Sequence, residues 1–446
     1  MPELRVAVVL STATGGTALH AGMLAEGCRR AGLAVLALGP SGTRDAVTRA
    51  AARVPAAEPR AAGPGTGAEA GAAESGSPGS SSLITARSGA GEAGQRAGRV
   101  AGSRDEARGG EGIPFHVVDI SDRPRPARDA QAVLRLRRLL RRARPDVVHA
   151  HGLRAGALAA AALAAWRSGR RPGLVVTVHN APPQGRAAGL VYGLLERTCA
   201  ARAGAVLCAS ADLAARMRQR GAREVSEFDV PAPVAPPPDA GAIRRARADL
   251  GPAGRPVLLT VARLAGQKGL DVLLAAAGQW QQRVPVPLLA IAGEGPLAGE
   301  LAATARRAGV ELTLLGQRED IPALLAAADV VVVPSRWEAR ALVVQEAMRA
   351  GRPVVASRVG GIPDLTGPDA ALLVPPEDAA ELAAAVSSVL DDAGLATRLA
   401  TAARARAAAL PTLADAVAAV LALYQDQGPA GRISRRPGAD SSGSSR

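Results

Sequence analysis

Short apolar runs alternate along the chain with longer segments in which apolar residues recur at helical spacing. The runs predict strands and the segments between them predict helices. In the first half the predicted strands are Arg5–Leu10, Ala34–Leu38, Phe115–Ile120, Asp146–His149, Leu174–Val178, Ala205–Cys208 and Val225–Val230. Continuous apolar strands separated by helices indicate a parallel sheet that is covered on both faces.

The same alternation starts again after a proline-rich stretch at residues 231–238. The second set of predicted strands is Val257–Val261, Leu288–Ala292, Leu312–Leu315, Val330–Val333, Val354–Ala356 and Leu372–Val374. We therefore predict an α/β protein with two doubly wound Rossmann-like domains, at 1–230 and 239–427, joined by a linker at 231–238. Ligands of such sheets bind at the carboxyl ends of the strands, so we expect the two domains to face each other across a cleft.

Two segments fall outside this pattern. Residues 57–112 consist of Gly, Ala, Ser, Pro and Arg with scattered Glu, and they contain almost no large apolar residue. Such a composition predicts a disordered insertion within the first domain. Residues 428–446 form a Gly-, Ser- and Arg-containing tail that we also expect to be disordered.

The net charge of the chain is concentrated in its first half. The 446 residues carry a formal charge of +14, and residues 1–234 hold 32 arginines against 19 acidic residues. The densest cluster lies on one predicted helix and comprises Arg135, Arg137, Arg138, Arg141, Arg142 and Arg144. We interpret it as a solvated helix face and keep a membrane-surface patch as the alternative. Aromatic stacking partners and nucleic-acid motifs are lacking, which disfavours nucleic acid.

Cysteines and the N-terminus guide the expected location. The three cysteines make no disulfide or metal-binding pattern, and the first residues do not resemble a signal peptide. We expect a cytoplasmic protein, with peripheral membrane contact through the basic first domain as an open alternative.

Lys268 is the only lysine, since the other 53 basic residues are arginines. A lysine kept in so arginine-rich a chain suggests a position where a guanidinium will not serve. Its compact ammonium suits a phosphate oxygen in a tight site. Lys268 and Arg263 follow the strand Val257–Val261 and precede a helix, which is a common place for phosphate binding.

Glycines and histidines lie at three strand ends in the first half. Gly15 and Gly16 come directly before a helix that carries His20, and the backbone at such a turn can approach an anion or a sugar. His149 and His151 lie at positions i and i+2 where the fourth predicted strand ends, and His179 follows directly on the fifth. A metal pair is disfavoured because no carboxylate or cysteine completes the ligand set nearby.

Two carboxylates lie near the end of a predicted strand in the second half. Glu338 lies in the loop after Val330–Val333, and Glu346 lies about one turn inside the next helix. Both can face the cleft, where a helix carboxylate suits a bidentate contact with ribose hydroxyls. An isolated pair at this spacing is also common on solvated helices.

Taken together, these motifs resemble family 4 of the retaining glycosyltransferases, which have the GT-B fold. The matching segments are Gly15-Gly16 with His20, residues 145–152, Thr177–Asn180, Val261–Leu264 with Gln267–Gly269, Ala292–Pro296, Val333–Glu338 with Glu346–Met348, Gly351–Val355 and Gly360–Asp364. The resemblance covers nearly the whole chain except the insertion and the tail.

The resemblance implies a nucleotide-diphosphate sugar donor, held mainly by the second domain, and an acceptor that binds against the first domain. It implies catalytic roles for His179, Arg263, Lys268 and Glu338, with the two cations stabilising the diphosphate leaving group without a metal. The residues that it implies for substrate or donor binding are Gly15, Gly16, His20, His151, Gly293, Arg340, Ala341, Leu342 and Glu346. No cofactor is expected beyond the nucleotide sugar as co-substrate, and the acceptor is unidentified, with an anionic or membrane-bound molecule mildly favoured.

The sequence departs from the family pattern in two places. Ala339-Arg340-Ala341 replaces the usual glycine-rich stretch after the first Glu, and Asp229-Val-Pro-Ala-Pro stands where the family has Asn-Gly at the hinge. Two other functions remain open on the sequence alone. One is a GT-B-type sugar-nucleotide epimerase, and the other is a non-catalytic binder of nucleotide sugars or polyanions.

Overall fold

The computed structural model describes residues 4–11, 16–54, 112–121, 123–164, 166, 169–181 and 186–428. The predicted insertion at 57–112, apart from Gly112, and the predicted tail, apart from Gly428, lie outside the described residues. The predicted domain limits at 1–230 and 239–427 remain predictions, and the two sheets between those limits are described below.

Seven parallel strands form the first sheet, in the order β3-β2-β1-β4-β5-β6-β7. Their bounds are β1 Arg5–Leu10, β2 Ala34–Gly39, β3 Phe115–Val117, β4 Val147–His151, β5 Gly173–Val178, β6 Ala205–Cys208 and β7 Val225–Glu227. The order reverses between β1 and β4, because β1 pairs with β2 on one side and with β4 on the other. A crevice opens at such a reversal, at the carboxyl ends of the strands.

Six parallel strands form the second sheet, in the order β10-β9-β8-β11-β12-β13. Their bounds are β8 Val257–Val261, β9 Leu288–Ala292, β10 Leu312–Gly316, β11 Val330–Val333, β12 Val354–Ser357 and β13 Leu372–Val374. Here the reversal lies between β8 and β11, the two strands that precede Lys268 and Glu338. The predicted α/β architecture with two doubly wound sheets is confirmed.

Helices connect the strands throughout both sheets. Their bounds are α1 Gly16–Arg30, α2 Ser41–Ala52, α3 Pro126–Ala143, α4 Leu153–Ala164, α5 Arg186–Arg202, α6 Ala211–Gln219, α7 Ala240–Leu250, α8 Leu270–Gln279, α9 Ala298–Arg307, α10 Ile321–Ala327, α11 Leu342–Arg349, α12 Ile362–Thr366, α13 Ala379–Asp391, α14 Ala393–Ala408 and α15 Leu413–Gln427. Short 3₁₀ turns occupy Gly266–Lys268 and Trp280–Gln282.

Two of the predicted strands are shorter than expected. β3 ends at Val117 instead of Ile120, and β7 ends at Glu227 instead of Val230. Both are edge strands with a partner on one side only. After each of them the backbone makes one more hydrogen bond to the sheet, from Val118 to Gly39 and from Phe228 to Cys208, and then turns away.

The last helix, α15, returns from the second sheet to the first. Its residues Val417, Val420 and Tyr424 belong to the core of the first sheet. The Tyr424 hydroxyl lies 2.6 Å from His149 Nδ1 at the centre of that core. Within the described ranges, residues 393–427 contain one stretch that is apolar and long enough for a membrane span by length and composition. The burial of its α15 part against the first sheet is typical of a core helix.

Candidate active site

The loops that follow β8 and β11 bring Lys268 and Glu338 together. Lys268 Nζ donates to Glu338 Oε1 over 2.6 Å, and Ser335 Oγ donates to the same oxygen over 2.7 Å. The Lys268 side chain is 24% exposed and the Glu338 side chain 10% exposed, so the ion pair is partly buried but still reaches solvent. Both residues were predicted from sequence, and Ser335 is an additional contact.

Close backbone packing fixes the relative position of these two loops. Gly269 has φ +60°, and a β-carbon there would overlap the carbonyl oxygen of Pro334 in the β11 loop. Gly360 has φ +50°, and a β-carbon there would overlap the carbonyl oxygen of Glu338. Because only glycine avoids both the overlap and the strain, the β8, β11 and β12 loops can lie backbone against backbone.

Arg263 lies on the same β8 loop, five residues before Lys268 along the chain, and is exposed. Its guanidinium makes no ion pair with any residue that the structure describes, so it is available to an anion. Arg336 is not comparable, because its guanidinium is held by Asp271 at 2.7 Å and by Glu377 at 2.9 Å. Gly293 donates its N–H to Gly316 O over 2.7 Å, so that amide is already satisfied at the sheet edge.

Glu346 lies on the second turn of α11. Burial raises the pKa of its carboxyl to about 7, against the opposing effect of the Arg349 and Arg53 guanidinium groups. The carboxyl accepts no hydrogen bond from the described part of the chain. Glu346 is half-buried, and a carboxyl with a raised pKa and no partner in the protein can accept hydrogen bonds from the hydroxyls of a ligand.

The carboxyl edge of the first sheet faces this site at the start of α1. A β-carbon on Gly16 would lie 3.2 Å from Cδ1 of Leu342, the first residue of α11. Trp337 Nε1 also reaches the first sheet, donating to Asp212 over 2.9 Å. The structure therefore brings Gly16 and Leu342 together, whereas Gly15 lies outside the described residues.

Four buried histidines cluster at the same edge of the first sheet. His151 Nδ1 lies 3.1 Å from His179 Nε2, and the two rings stack. His20 packs edge-on against both rings, with centroids 6.0 and 5.5 Å away. His179 is 7% exposed, whereas His20 and His151 are each 1% exposed. Of the three predicted site histidines, His179 is thus the most accessible to a ligand.

Several ring nitrogens in the histidine cluster lack a partner. Both nitrogens of His20 and Nε2 of His151 are buried and make no hydrogen bond. Burial lowers the pKa of His149 to about 3 and that of His179 to about 4, and it holds the pKa of His20 and of His151 well below the usual value. All four imidazoles are therefore neutral near pH 7. The described residues contain no group of three or more His, Cys, Asp or Glu side chains that could hold a metal ion.

The two departures from the family pattern contact each other. Arg340, in the loop before α11, forms an ion pair with Asp229 at the start of the segment that joins the two sheets. The Arg340 guanidinium is thus occupied, and its predicted role in donor binding remains a prediction. Ala341, next to it, is buried and forms the N-cap of α11.

The joining segment is also bound to α11 by two other side chains. Gln345 donates to Val230 O over 2.8 Å and accepts from Ala232 N over 2.9 Å. Arg349 donates to Ala232 O over 3.0 Å. Helix α11, which carries Glu346, is therefore hydrogen-bonded to the segment that joins the two sheets. Sequence reasoning missed these contacts, because Gln and Arg in a helix carry no signal for a partner more than 100 residues away.

The chain matches two family descriptions that cover its two halves. "Glycosyltransferase Family 4" matches residues 88–226, and "Glycosyl transferases group 1" matches residues 243–406. The glycogen synthase of Mycobacterium tuberculosis is 35% identical over 294 residues, which are 62% of this chain and 68% of the relative. The chain belongs to glycosyltransferase family 4.

Other relatives resemble this glycosyltransferase over smaller parts. The α-D-kanosaminyltransferase of Streptomyces kanamyceticus is 34% identical over 183 residues, and the chain spans only 46% of its length. Among solved structures, Anabaena HepE in complex with UDP and glucose matches with a TM-score of 0.69 and 19% identity. That match covers 94% of this chain and 99% of HepE. At that identity it supports the GT-B fold, which is thereby confirmed.

Because the four clustered histidines are neutral in the folded state, the free energy of unfolding of the glycosyltransferase should depend on pH. A histidine whose folded pKa is depressed contributes stability that is present above its unfolded pKa, near 6.5, and is lost as pH falls toward the folded value. Each such histidine adds a slope of about 1.4 kcal/mol per pH unit once the unfolded chain is protonated. We expect the free energy of unfolding to fall steeply below about pH 6.

His20→Leu tests this directly, because it removes an imidazole that makes no hydrogen bond. Denaturant titrations between about pH 6 and pH 5 give the free energy of unfolding at each pH. In the variant this free energy should change less steeply with pH, by roughly 1.4 kcal/mol per pH unit. His116→Gln is the matched control, since His116 is exposed, and should leave the slope as in the wild type. An unchanged slope in His20→Leu would contradict the neutral cluster.

The Arg340–Asp229 pair predicts a charge-reversal rescue. Arg340→Asp and Asp229→Arg should each destabilise the protein by placing like charges together, and the double variant should recover part of the loss. A double-mutant cycle in urea should give a coupling energy of roughly 0.5–1.5 kcal/mol. Strictly additive effects would show that the two side chains do not interact in solution.

Proposed function

We propose that this glycosyltransferase uses a nucleotide-diphosphate sugar as donor and transfers the sugar with retention of its anomeric configuration, without a metal ion. The observation that carries the proposal is the grouping of two cations and two carboxylates on the β8 loop, the β11 loop and α11. Of these four groups, Lys268 and Glu338 bind each other, while Arg263 and Glu346 have no ion-pair partner among the described residues.

The diphosphate is assigned to the β8 loop and the start of α11. Arg263 supplies an unpaired guanidinium and Lys268 a compact ammonium. The N–H groups of Leu342 and Val343, the first two residues of α11, have no acceptor within the helix and lie at the same edge. These groups would stabilise the charge that develops on the leaving phosphate as its bond to the anomeric carbon breaks.

The ribose is assigned to Glu346. Its carboxyl is desolvated and unpaired, and two ribose hydroxyls would satisfy it and favour its ionised form. Glu338 is then left to contact the donor sugar or phosphate, with Lys268 and Ser335 fixing its orientation. Gly16 and His179 would approach the donor from the first sheet, where the acceptor also binds.

In the proposed transfer, the acceptor oxygen replaces the phosphate oxygen on the same face of the anomeric carbon. The bond between the anomeric carbon and the phosphate oxygen breaks, and a bond from the acceptor oxygen to the same face forms. The acceptor hydroxyl proton passes to the departing phosphate. Glu338 is held by Lys268 and Ser335 through one oxygen, and the proposed same-face reaction assigns no covalent intermediate to a side chain.

Similar proteins support a nucleotide-sugar donor. The structure of Anabaena HepE contains UDP, and another solved structure of HepE contains UDP-glucose. A mannosyltransferase of Mycolicibacterium smegmatis, 40% identical over 141 residues, is named for its dependence on GDP-mannose. Because the bases in these names differ, the proposal covers the diphosphate sugar class and leaves the base open.

Lys268→Arg is the sharpest test of the catalytic proposal. The larger guanidinium cannot occupy the position of Nζ between Glu338 and the leaving phosphate. We expect kcat to fall by roughly 10²–10³, comparable to the loss of one oxyanion-hole donor. The measurement is nucleotide release from uridine, guanosine, adenosine and thymidine diphosphate sugars, using the donor that the wild type accepts.

Arg318→Lys is the control, because it also exchanges arginine and lysine but lies outside the proposed site. Arg318 is paired with Asp320 and Asp249, and the variant should leave kcat unchanged. Full turnover in Lys268→Arg would overturn the assignment of Lys268. Formation of an epimeric nucleotide sugar without nucleotide release would overturn glycosyl transfer.

A further inference from the structure

The outer face of α5 exposes large apolar side chains. Leu190 is 78% exposed, Leu194 is 65% exposed and Val191 is 37% exposed. They lie at i, i+4 and i+1, so they form one contiguous strip over two turns. Single exposed leucines are ordinary on protein surfaces, but three adjacent aliphatic side chains on one helix indicate a surface with a partner.

The layer of helices around this strip is strongly cationic. Residues 123–220, which include α3 to α6, contain 19 arginines and 4 acidic residues. All four carboxylates are engaged within the protein: Asp129 with Arg154, Asp146 with the Arg5 N–H, Glu196 with Arg216 and Arg220, and Asp212 with Ser210 and Trp337. The surface of this layer therefore presents positive charge with no free carboxylate to offset it.

Four exposed arginines on α3 and α5 are available to a partner. Arg138 and Arg142 lie on α3, and Arg197 and Arg202 lie on α5. None of the four makes a hydrogen bond or ion pair with the described residues. Helix α4 packs between α3 and α5, so both sets belong to one helical layer on one side of the first sheet.

The apolar strip lies close to the catalytic edge. Helix α5 begins at Arg186, a few residues after β5 ends at Val178 and after His179. In a parallel α/β sheet the helix after a strand starts at the carboxyl edge of that strand. Leu190 and Leu194, in the first three turns, are therefore near the mouth of the proposed acceptor site.

We propose that the α5 strip and the arginines of α3 and α5 dock the enzyme on an anionic phospholipid surface. Aliphatic side chains enter the boundary of the acyl region, and arginines bind the phosphate headgroups around them. Nucleic acid would use the arginines but give no reason for the exposed leucines. This docking would present the mouth of the first sheet to an acceptor that is held in the bilayer.

Vesicle sedimentation of the full chain tests the docking. The protein should bind vesicles of phosphatidylcholine mixed with phosphatidylglycerol and bind much more weakly to phosphatidylcholine alone. Leu190→Gln with Leu194→Gln should lower the partition coefficient by roughly ten-fold or more. Arg138→Ser and Arg142→Ser should lower it by about five-fold each, with the loss reduced at high salt.

The matched control is Val284→Gln, because Val284 is 97% exposed but lies in the loop before β9 of the second sheet. This variant should bind as the wild type does. Absence of binding to the anionic vesicles would overturn the proposal. It would also be overturned if the leucine variants bound normally while a DNA oligonucleotide displaced the protein, since that result assigns the arginines to a polyanion. The readout is binding, so it stands apart from the proposed donor chemistry.

Discussion

The proposed site depends on the backbone contacts between the loops at the carboxyl edge of the second sheet. Gly269 lies against the Pro334 carbonyl and Gly360 against that of Glu338, so that the β8, β11 and β12 loops hold one another without intervening side chains. This contact sets the distance at which Lys268 meets Glu338. A side chain on either glycine would separate the loops and with them the ammonium and the carboxylate. The ion pair is therefore a consequence of backbone packing, and the glycines are as important to the site as the charged residues.

A second set of contacts ties the site to the connection between the sheets. Gln345 and Arg349 bind the backbone of the joining segment from the same short helix that carries Glu346, and Arg340 pairs with Asp229 just before that segment. Any movement of one sheet relative to the other must therefore act on α11. Helix α15 also connects the two sheets, because it follows the second sheet in the chain and its Tyr424 is hydrogen-bonded to His149 in the core of the first sheet. The helix that carries Glu346 is thus also the helix that binds the segment between the sheets.

Local patterns in the sequence predicted most of the fold. Apolar runs located all the strands of the two described sheets. The predicted ends were most in error at β3 and β7, where a single neighbour limits the ladder, and β4 continues two residues past its predicted end to His151. Lys268, Glu338 and Glu346 lie on the loops and the helix where the sequence predicted them, and their roles in a site remain predictions. The remaining features required tertiary structure. Residue type alone does not reveal that His20 keeps two unpartnered nitrogens, that Arg340 and Asp229 pair across 111 positions, or that Glu346 is desolvated, because each depends on which distant segment packs against it.

The central claim is that the loops of the second sheet and α11 form a nucleoside diphosphate site, and calorimetric titration tests it most directly. The wild-type chain is titrated with uridine, guanosine, adenosine and thymidine diphosphates, followed by Glu346→Gln and Lys268→Ala with the nucleotide that binds best. We predict one site per chain, with affinity reduced by roughly ten-fold or more in each variant, since each loses a charge-assisted hydrogen bond to the ligand. Failure of all four nucleotides to bind, or wild-type affinity in both variants, would contradict the account.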